Sequence, residues 1–138
     1  MTLQAKNKFQ ILSTPEQLPV VEKIIEELKD EYKISEDSYG NMLVAITEAV
    51  NNAIFHGNKA NPKKKVDISY GCKDNQISFI ISDEGTGFDY YNLPDPTAPE
   101  NLEKPNGRGV FLMKNLADQI IFSENGRVVE LYFKIQNN

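Results

Sequence analysis

The chain has 138 residues, a net charge of −5 and 40% hydrophobic residues, which is the size and composition of one globular domain spanning 1–138. No apolar run approaches the roughly 20 residues of a membrane span, and the first residues lack the apolar core of a secretory signal, so we expect a cytoplasmic protein that does not enter a membrane. The acidic balance disfavours direct binding to nucleic acid, whose phosphates attract basic surfaces. Proteins and small molecules are therefore the expected partners.

Hydrophobic periodicity and turn residues predict both strands and helices. In chain order, the expected elements are a strand at 8–12, a helix at 15–32, a helix that starts after 35 or 37 and runs to 56, a hairpin of strands 66–70 and 77–81, a helix at 110–117, and a second hairpin of strands 119–123 and 127–135. Thr14 is expected to cap the first helix, and Gly57 to end the second in a left-handed conformation. Residues 85–109 hold four of the seven prolines and four of the eight glycines, which predicts a long functional loop.

A line of polar residues runs along the second predicted helix. Glu48, Asn52 and His56 are spaced four residues apart, so they share one slowly drifting face beside the apolar stripe. A solvated helix face is the alternative interpretation for Glu48 and Asn52. For His56 we favour a structural role, because a His in the last turn of a helix is stabilised by the negative end of the helix dipole.

A carboxylate and two glycines follow the most apolar predicted strand, at Asp83, Gly85 and Gly87. Ligand sites are common at strand ends of α/β folds, and glycines allow a backbone path that side chains would block. A plain turn is the alternative interpretation of this motif.

Two further glycines, Gly107 and Gly109, lead directly into the last predicted helix at Val110 and Phe111. Backbone N–H groups at a glycine-rich helix N-terminus bind phosphate, and the positive end of the helix dipole favours the anion. A flexible entry to the helix is the alternative interpretation.

The three motifs have the order and contexts of the N, G1 and G2 boxes of the GHKL ATPases (the gyrase, Hsp90, histidine-kinase and MutL class). Nearly the whole chain resembles this superfamily, and its Glu-x-x-x-Asn-x-x-x-His-Gly and Gly-x-Gly-Val-Phe-Leu-Met runs most resemble the stand-alone anti-sigma-factor serine kinases. The resemblance implies an α+β two-layer sandwich with a mixed, mostly antiparallel sheet and helices on one face. It also implies that ATP lies between the helices under a lid at about 85–109.

Roles for the site residues follow from the same resemblance. Asp83 would accept a hydrogen bond from the adenine amino group, which disfavours guanine because guanine presents a carbonyl there. Gly85 and Gly87 would let the chain pass close to the base. Asn52 would bind Mg²⁺ through its amide oxygen, and Glu48 would orient or deprotonate the attacking hydroxyl.

Phosphate binding is implied for the start of the last helix, through the glycines, the following N–H groups and nearby cations. The residues concerned are Lys104, Gly107, Arg108, Gly109, Val110 and Phe111. Some anti-sigma kinases carry an Arg shortly before the first of these glycines, where this chain has Pro105. Contact with the terminal phosphate would therefore come from Lys104, Arg108 or elsewhere.

By resemblance, the chain is expected to be an ATP-dependent serine/threonine protein kinase and a homodimer. It would hold a sigma factor inactive until an antagonist protein docks and releases the sigma factor. It would also phosphorylate this antagonist on serine, which restores the inhibition. A non-catalytic ATP-binding regulator that sequesters a protein partner is the alternative. An ATPase that drives a conformational change is a third possibility, but such chains normally carry an additional transducer domain.

Overall fold

The computed structural model describes residues 7–85 and 105–135, which form a five-stranded sheet covered by helices. The main elements are β1 (Asn7–Leu12), α1 (Leu18–Tyr32), α2 (Glu36–Asn51), β2 (Lys65–Lys73), β3 (Gln76–Ser82), α3 (Pro105–Leu116), β4 (Gln119–Ser123) and β5 (Val128–Lys134). A 3₁₀ turn at Pro15–Gln17 precedes α1, a π-helical turn at Asn52–Gly57 continues α2, and a second 3₁₀ turn at Glu124–Gly126 joins β4 to β5. None of the helices in these two ranges is long and apolar enough to cross a membrane.

The strands lie in the order β1-β2-β3-β5-β4, and each neighbouring pair is antiparallel. The two-layer α+β fold is confirmed. The sheet was expected to be mixed and mostly antiparallel, and the described strands include no parallel pair. Short turns join β2 to β3 and β4 to β5, and such turns give antiparallel pairs. Asp74 and Asn75 form the first of these turns with φ of 54° and 60°, the left-handed pair of a type I′ turn, and this turn closes the hairpin that the sequence predicts.

The core lies between one face of the sheet and the helices. Ile68, Phe79 and Leu131 come from β2, β3 and β5, and all three side chains are fully buried beneath the helices. Burial of each such side chain contributes roughly 1.5–3 kcal/mol. The central helix α2 packs against β3 and β5, and α1 and α3 flank it. Because Asp67 and Glu130 alternate with these core positions, they lie on the opposite face of the sheet, so the described helices cover a single face.

The ends of the first two helices differ from the sequence predictions. Thr14 makes no side-chain capping bond, because the chain first forms the 3₁₀ turn and α1 begins only at Leu18. The start of α2 agrees with one of the two predicted positions, directly after Ser35, whose hydroxyl accepts a hydrogen bond from the Ser38 N–H at 3.2 Å. Gly57 does not adopt the predicted left-handed conformation, and Asn58 ends the π turn with φ of −91°.

The helix α3 begins at Pro105, five positions before the predicted start at Val110. Proline suits the first turn of a helix because it has no N–H to leave unpaired there, so the glycines at 107 and 109 lie inside the helix. The predicted loop at 85–109 is therefore shorter at its C-terminal end. Most of it, including Gly87 and Lys104, lies outside the described residues.

Candidate active site

An open pocket lies between the helix layer and the sheet. Its walls come from α2 and the π turn, β3 and the residue after it, α3, β4, and β5 with the turn before it. The lining residues are Ala49, Asn52, Ala53, Ile81, Asp83, Met113, Phe122, Gly126, Arg127 and Val129. Most of these are apolar, with Asp83, Asn52 and Arg127 as the polar exceptions. A mostly apolar cleft with a few convergent polar groups is typical of a site for a small molecule.

Asp83 is held firmly at the end of β3. Its N–H donates to the Arg127 carbonyl at 3.0 Å, and its Oδ1 accepts from the Gly85 N–H at 2.7 Å. Burial raises the pKa of the Asp83 carboxyl, while the Gly85 hydrogen bond and the charges of Arg127 and Lys64 oppose that rise. Among the described residues no donor reaches Oδ2. The carboxyl therefore has one oxygen fixed by the chain and one available to a ligand donor.

Two glycines let the loop after β3 approach the end of the π turn. A Cβ on Gly57 would lie 2.6 Å from Asp83 Oδ1 and closer still to Asp83 Cγ. A Cβ on Gly85 would lie 2.9 Å from the Gly57 Cα and would overlap the Gly57 carbonyl. Real Cβ atoms essentially never come within 3.0 Å of other heavy atoms, so position 85, which faces backbone atoms, requires glycine, whereas a Cβ at position 57 would have to displace the Asp83 carboxyl. This close approach, rather than a left-handed conformation, is the reason for Gly57.

Glu48 and Asn52 meet α3 beside the pocket. A Cβ on Gly109 would lie 3.0 Å from Glu48 Oε2 and 3.3 Å from Asn52 Oδ1, so both side chains converge on this point of α3. Asn52 also lines the pocket that contains Asp83. A carboxylate acceptor thus lies in the pocket, and a second carboxylate and an amide lie next to the glycine-rich helix start.

A comparison with protein families agrees with this geometry. Residues 11–133 match the family model described as the histidine kinase-like ATPase domain. The chain belongs to this family. The match spans β1 to β5 and includes the motifs around Glu48, Asp83 and Gly109.

Curated relatives and a solved structure agree with the family assignment. A serine-protein kinase RsbW of Oceanobacillus iheyensis is 26% identical over 119 residues, covering 82% of this chain and 75% of the relative. A serine-protein kinase RsbW of Bacillus cereus is 31% identical over 107 residues, covering 72% of this chain and 66% of the relative. A crystal structure of the RsbU and RsbW domains of a Mycobacterium tuberculosis protein matches with a TM-score of 0.63 and 15% identity, over 96% of this chain and 34% of that one. The last match shows the shared fold.

Because α3 starts earlier than predicted, the N–H groups that are free to bind a phosphate differ from the predicted ones. Only the first turn of a helix leaves its N–H groups without partners inside the helix. Because α3 begins at Pro105, which has no N–H, those groups belong to 106 and 107, and the N–H groups of Val110 and Phe111 lie further along, inside the helix. The Val110 side chain is buried in the core and Phe111 is exposed. Among the predicted phosphate-binding positions, the backbone N–H of Gly107 lies in the first turn of α3.

His56 lies in the π turn with its side chain partly buried. Burial lowers the pKa of the His56 imidazole, and the charge of Lys59 lowers it further. Both effects favour the neutral form of the side chain. The sequence-based reason for a structural role, a charged His at the negative end of a helix, does not apply to this environment.

Asn58, which is not among the candidate residues predicted from the sequence, lies directly after the π turn and is fully buried. Its Nδ2 donates to Ser13 Oγ at 2.8 Å and to the Lys65 carbonyl at 3.0 Å, and its Oδ1 accepts from the Glu84 N–H at 2.7 Å. These partners belong to the ends of β1, β2 and β3. No local sequence pattern could have identified Asn58, because its partners are brought together only by the fold.

Proposed function

We propose that the chain is an ATP-dependent serine/threonine protein kinase that acts as an anti-sigma factor, holding a sigma factor inactive and phosphorylating an antagonist protein on serine. The observation that carries the proposal is the convergence of Glu48 and Asn52 on Gly109 beside the pocket of Asp83. The relatives named serine-protein kinase RsbW support it. We further propose that the chain is one cytoplasmic domain and a homodimer, without direct contact to nucleic acid or membrane.

Asp83 supplies base selectivity in this proposal. Its free Oδ2 accepts a hydrogen bond from the adenine amino group, whereas the guanine carbonyl would leave a partly buried carboxyl without a donor. Gly57 and Gly85 keep this carboxyl in place by allowing close packing behind it. ATP binding with preference over GTP is the expected consequence.

Glu48 and Asn52 act at the phosphate end of the pocket. Gly109 supports the fit of Mg²⁺ and phosphate to this place, because the absence of a Cβ leaves space beside the Glu48 and Asn52 side chains. The Asn52 amide oxygen would hold Mg²⁺, which neutralises phosphate charge when bound. A Glu48 carboxylate oxygen accepts the proton of the serine hydroxyl during transfer. The N–H groups at 106 and 107 and the cations Lys104 and Arg108 would contact the phosphates.

A pair of variants separates binding from chemistry. Asn52→Ala should weaken Mg²⁺-dependent ATP binding, because it removes a ligand from a metal that tolerates little distortion. Glu48→Gln should bind ATP within a few-fold of wild type but lower phosphoryl transfer by about 10²–10⁴, the usual range for a general base. Calorimetry measures the binding, and labelled ATP with candidate antagonist proteins measures the transfer. Glu22→Gln on the exposed side of α1 is the control.

The alternative is a regulator that binds ATP and sequesters a protein partner without transfer. Pro105 favours it, because some anti-sigma kinases carry an Arg shortly before the glycine at 107. If the wild-type chain binds ATP but labels no antagonist, this regulator replaces the kinase. If Glu48→Gln retains full transfer to a verified substrate, Glu48 is not the base.

A further inference from the structure

Asn58 joins four separate parts of the chain beneath the candidate base site. Its own N–H donates to the Ala53 carbonyl at 2.8 Å, which closes the π turn. Its side chain reaches Ser13 after β1, Lys65 at the start of β2, and Glu84 after β3. An amide has two donor hydrogens and an acceptor oxygen, so these contacts use both hydrogens and one acceptor position.

The bond to Glu84 falls inside the short loop that carries the base acceptor. Glu84 lies between Asp83, whose carboxyl faces the pocket, and Gly85, whose N–H fixes that carboxyl. The Glu84 side chain adds a second link, because its Oε2 accepts from the Lys65 N–H at 2.6 Å. The loop is thus tied to the sheet from both its backbone and its side chain.

From these contacts we propose that Asn58 is a positioning residue for nucleotide selectivity: it holds the loop 83–85 so that the free Asp83 oxygen meets the adenine amino group. The inference rests on the proposed ATP binding. Asn58 has no contact with the nucleotide in this arrangement and acts through Glu84. A displacement of about 1 Å is enough to spoil such a geometry, because hydrogen bonds depend steeply on distance and angle.

The first test compares Asn58→Ala with the wild-type chain. Affinity for Mg²⁺-ATP and Mg²⁺-GTP is measured by calorimetry, and stability by thermal unfolding. We expect ATP affinity to fall about 5- to 100-fold and the preference for ATP over GTP to shrink. The reason is that the Glu84 N–H loses its acceptor, Asn58 Oδ1, and the loop 83–85 shifts. Ile77→Val is the control, since Ile77 is fully buried at the opposite end of β3 from Asp83. This control should lower the unfolding temperature and keep the ATP preference.

A second test keeps the inference falsifiable if Asn58→Ala does not fold. Glu84 is exposed, so its substitution should be tolerated. Glu84→Ala removes the acceptor of the Lys65 N–H and should reduce the ATP preference, whereas Glu84→Gln keeps an acceptor and should restore it. A merely structural contribution would change the unfolding temperature without changing the ratio of the two affinities.

The outcomes separate the two proposals. Unchanged ATP preference in Asn58→Ala overturns the positioning role and leaves ATP binding standing, and so does unchanged preference in Glu84→Ala, because the hold on the loop 83–85 would then not govern selectivity. A fall in both affinities at constant ratio also overturns it, because that result indicates general loosening. If the wild-type chain binds no ATP, the proposed function fails and the inference fails with it.

Discussion

Replacing Gly57 with alanine should separate nucleotide binding from folding. The added Cβ would lie 2.6 Å from Asp83 Oδ1, where ordinary contact begins at 3.4 Å, and would meet Asp83 Cγ more closely still. The Asp83 carboxyl must therefore recede by roughly 1 Å, which is enough to lose a hydrogen bond to the adenine amino group. Loss of that bond costs about 1–3 kcal/mol, or about 5- to 150-fold in ATP affinity.

The expected effect of Gly57→Ala on folding is smaller, because two contributions oppose each other. Overpacking costs about 1–3 kcal/mol, and the higher helix propensity of alanine returns about 0.5–1 kcal/mol. Gly40 in α2 offers a matched control, since a Cβ there would meet no atom within 4 Å. Gly40→Ala should stabilise the protein by about 0.5–1 kcal/mol and leave ATP affinity unchanged. Wild-type affinity for ATP in Gly57→Ala, measured by calorimetry, would refute the proposed place of Asp83 in the base site.

Three further substitutions test separate parts of the structure. Asp83→Asn should weaken ATP binding by about 1–3 kcal/mol in calorimetry. The same change should not destabilise the free protein at pH 7. Burial raises the pKa of Asp83, so its ionisation opposes folding, and this penalty grows as the pH rises from the pKa of the unfolded chain to the higher pKa of the folded protein. A large fall in the unfolding temperature of Asp83→Asn would contradict this. Gly109→Ala should reduce phosphoryl transfer more than stability, since its Cβ would press on Glu48 Oε2 at 3.0 Å, and unimpaired transfer would count against the convergence. Ser35→Ala should cost about 0.5–2 kcal/mol in denaturant unfolding, with ATP affinity unchanged, because it removes only the cap of α2.

Features set by neighbouring residues were predictable from the sequence. The Asp74-Asn75 turn depends on two residues that tolerate positive φ, and the hairpin follows from it. The shared face of Glu48 and Asn52 follows from the period of an α-helix, and the structure brings both side chains to Gly109. The position of Asp83 after an apolar strand likewise indicated a strand end.

Features set by distant residues were not predictable in the same way. The bond between Asn58 and Ser13 joins positions 45 residues apart, so neither residue has a local signature. The early start of α3 was missed because Pro105 and two glycines are poor helix formers, although proline suits a first helical turn. The conformation of Gly57 was misjudged because its small size serves a close approach to Asp83 that only the fold creates.

The π turn makes the number of residues in this segment as important as their identity. An α-helix turns by about 100° per residue, so removing one residue from 52–57 and restoring α-helical bonding would rotate everything that follows by that angle. Asn58 would then point away from Ser13 and Glu84 even though no side chain had been changed. A sequence comparison that places a gap inside this segment therefore compares proteins with differently oriented loops. In redesign of this chain, we expect single-residue deletions here to be more damaging than most substitutions.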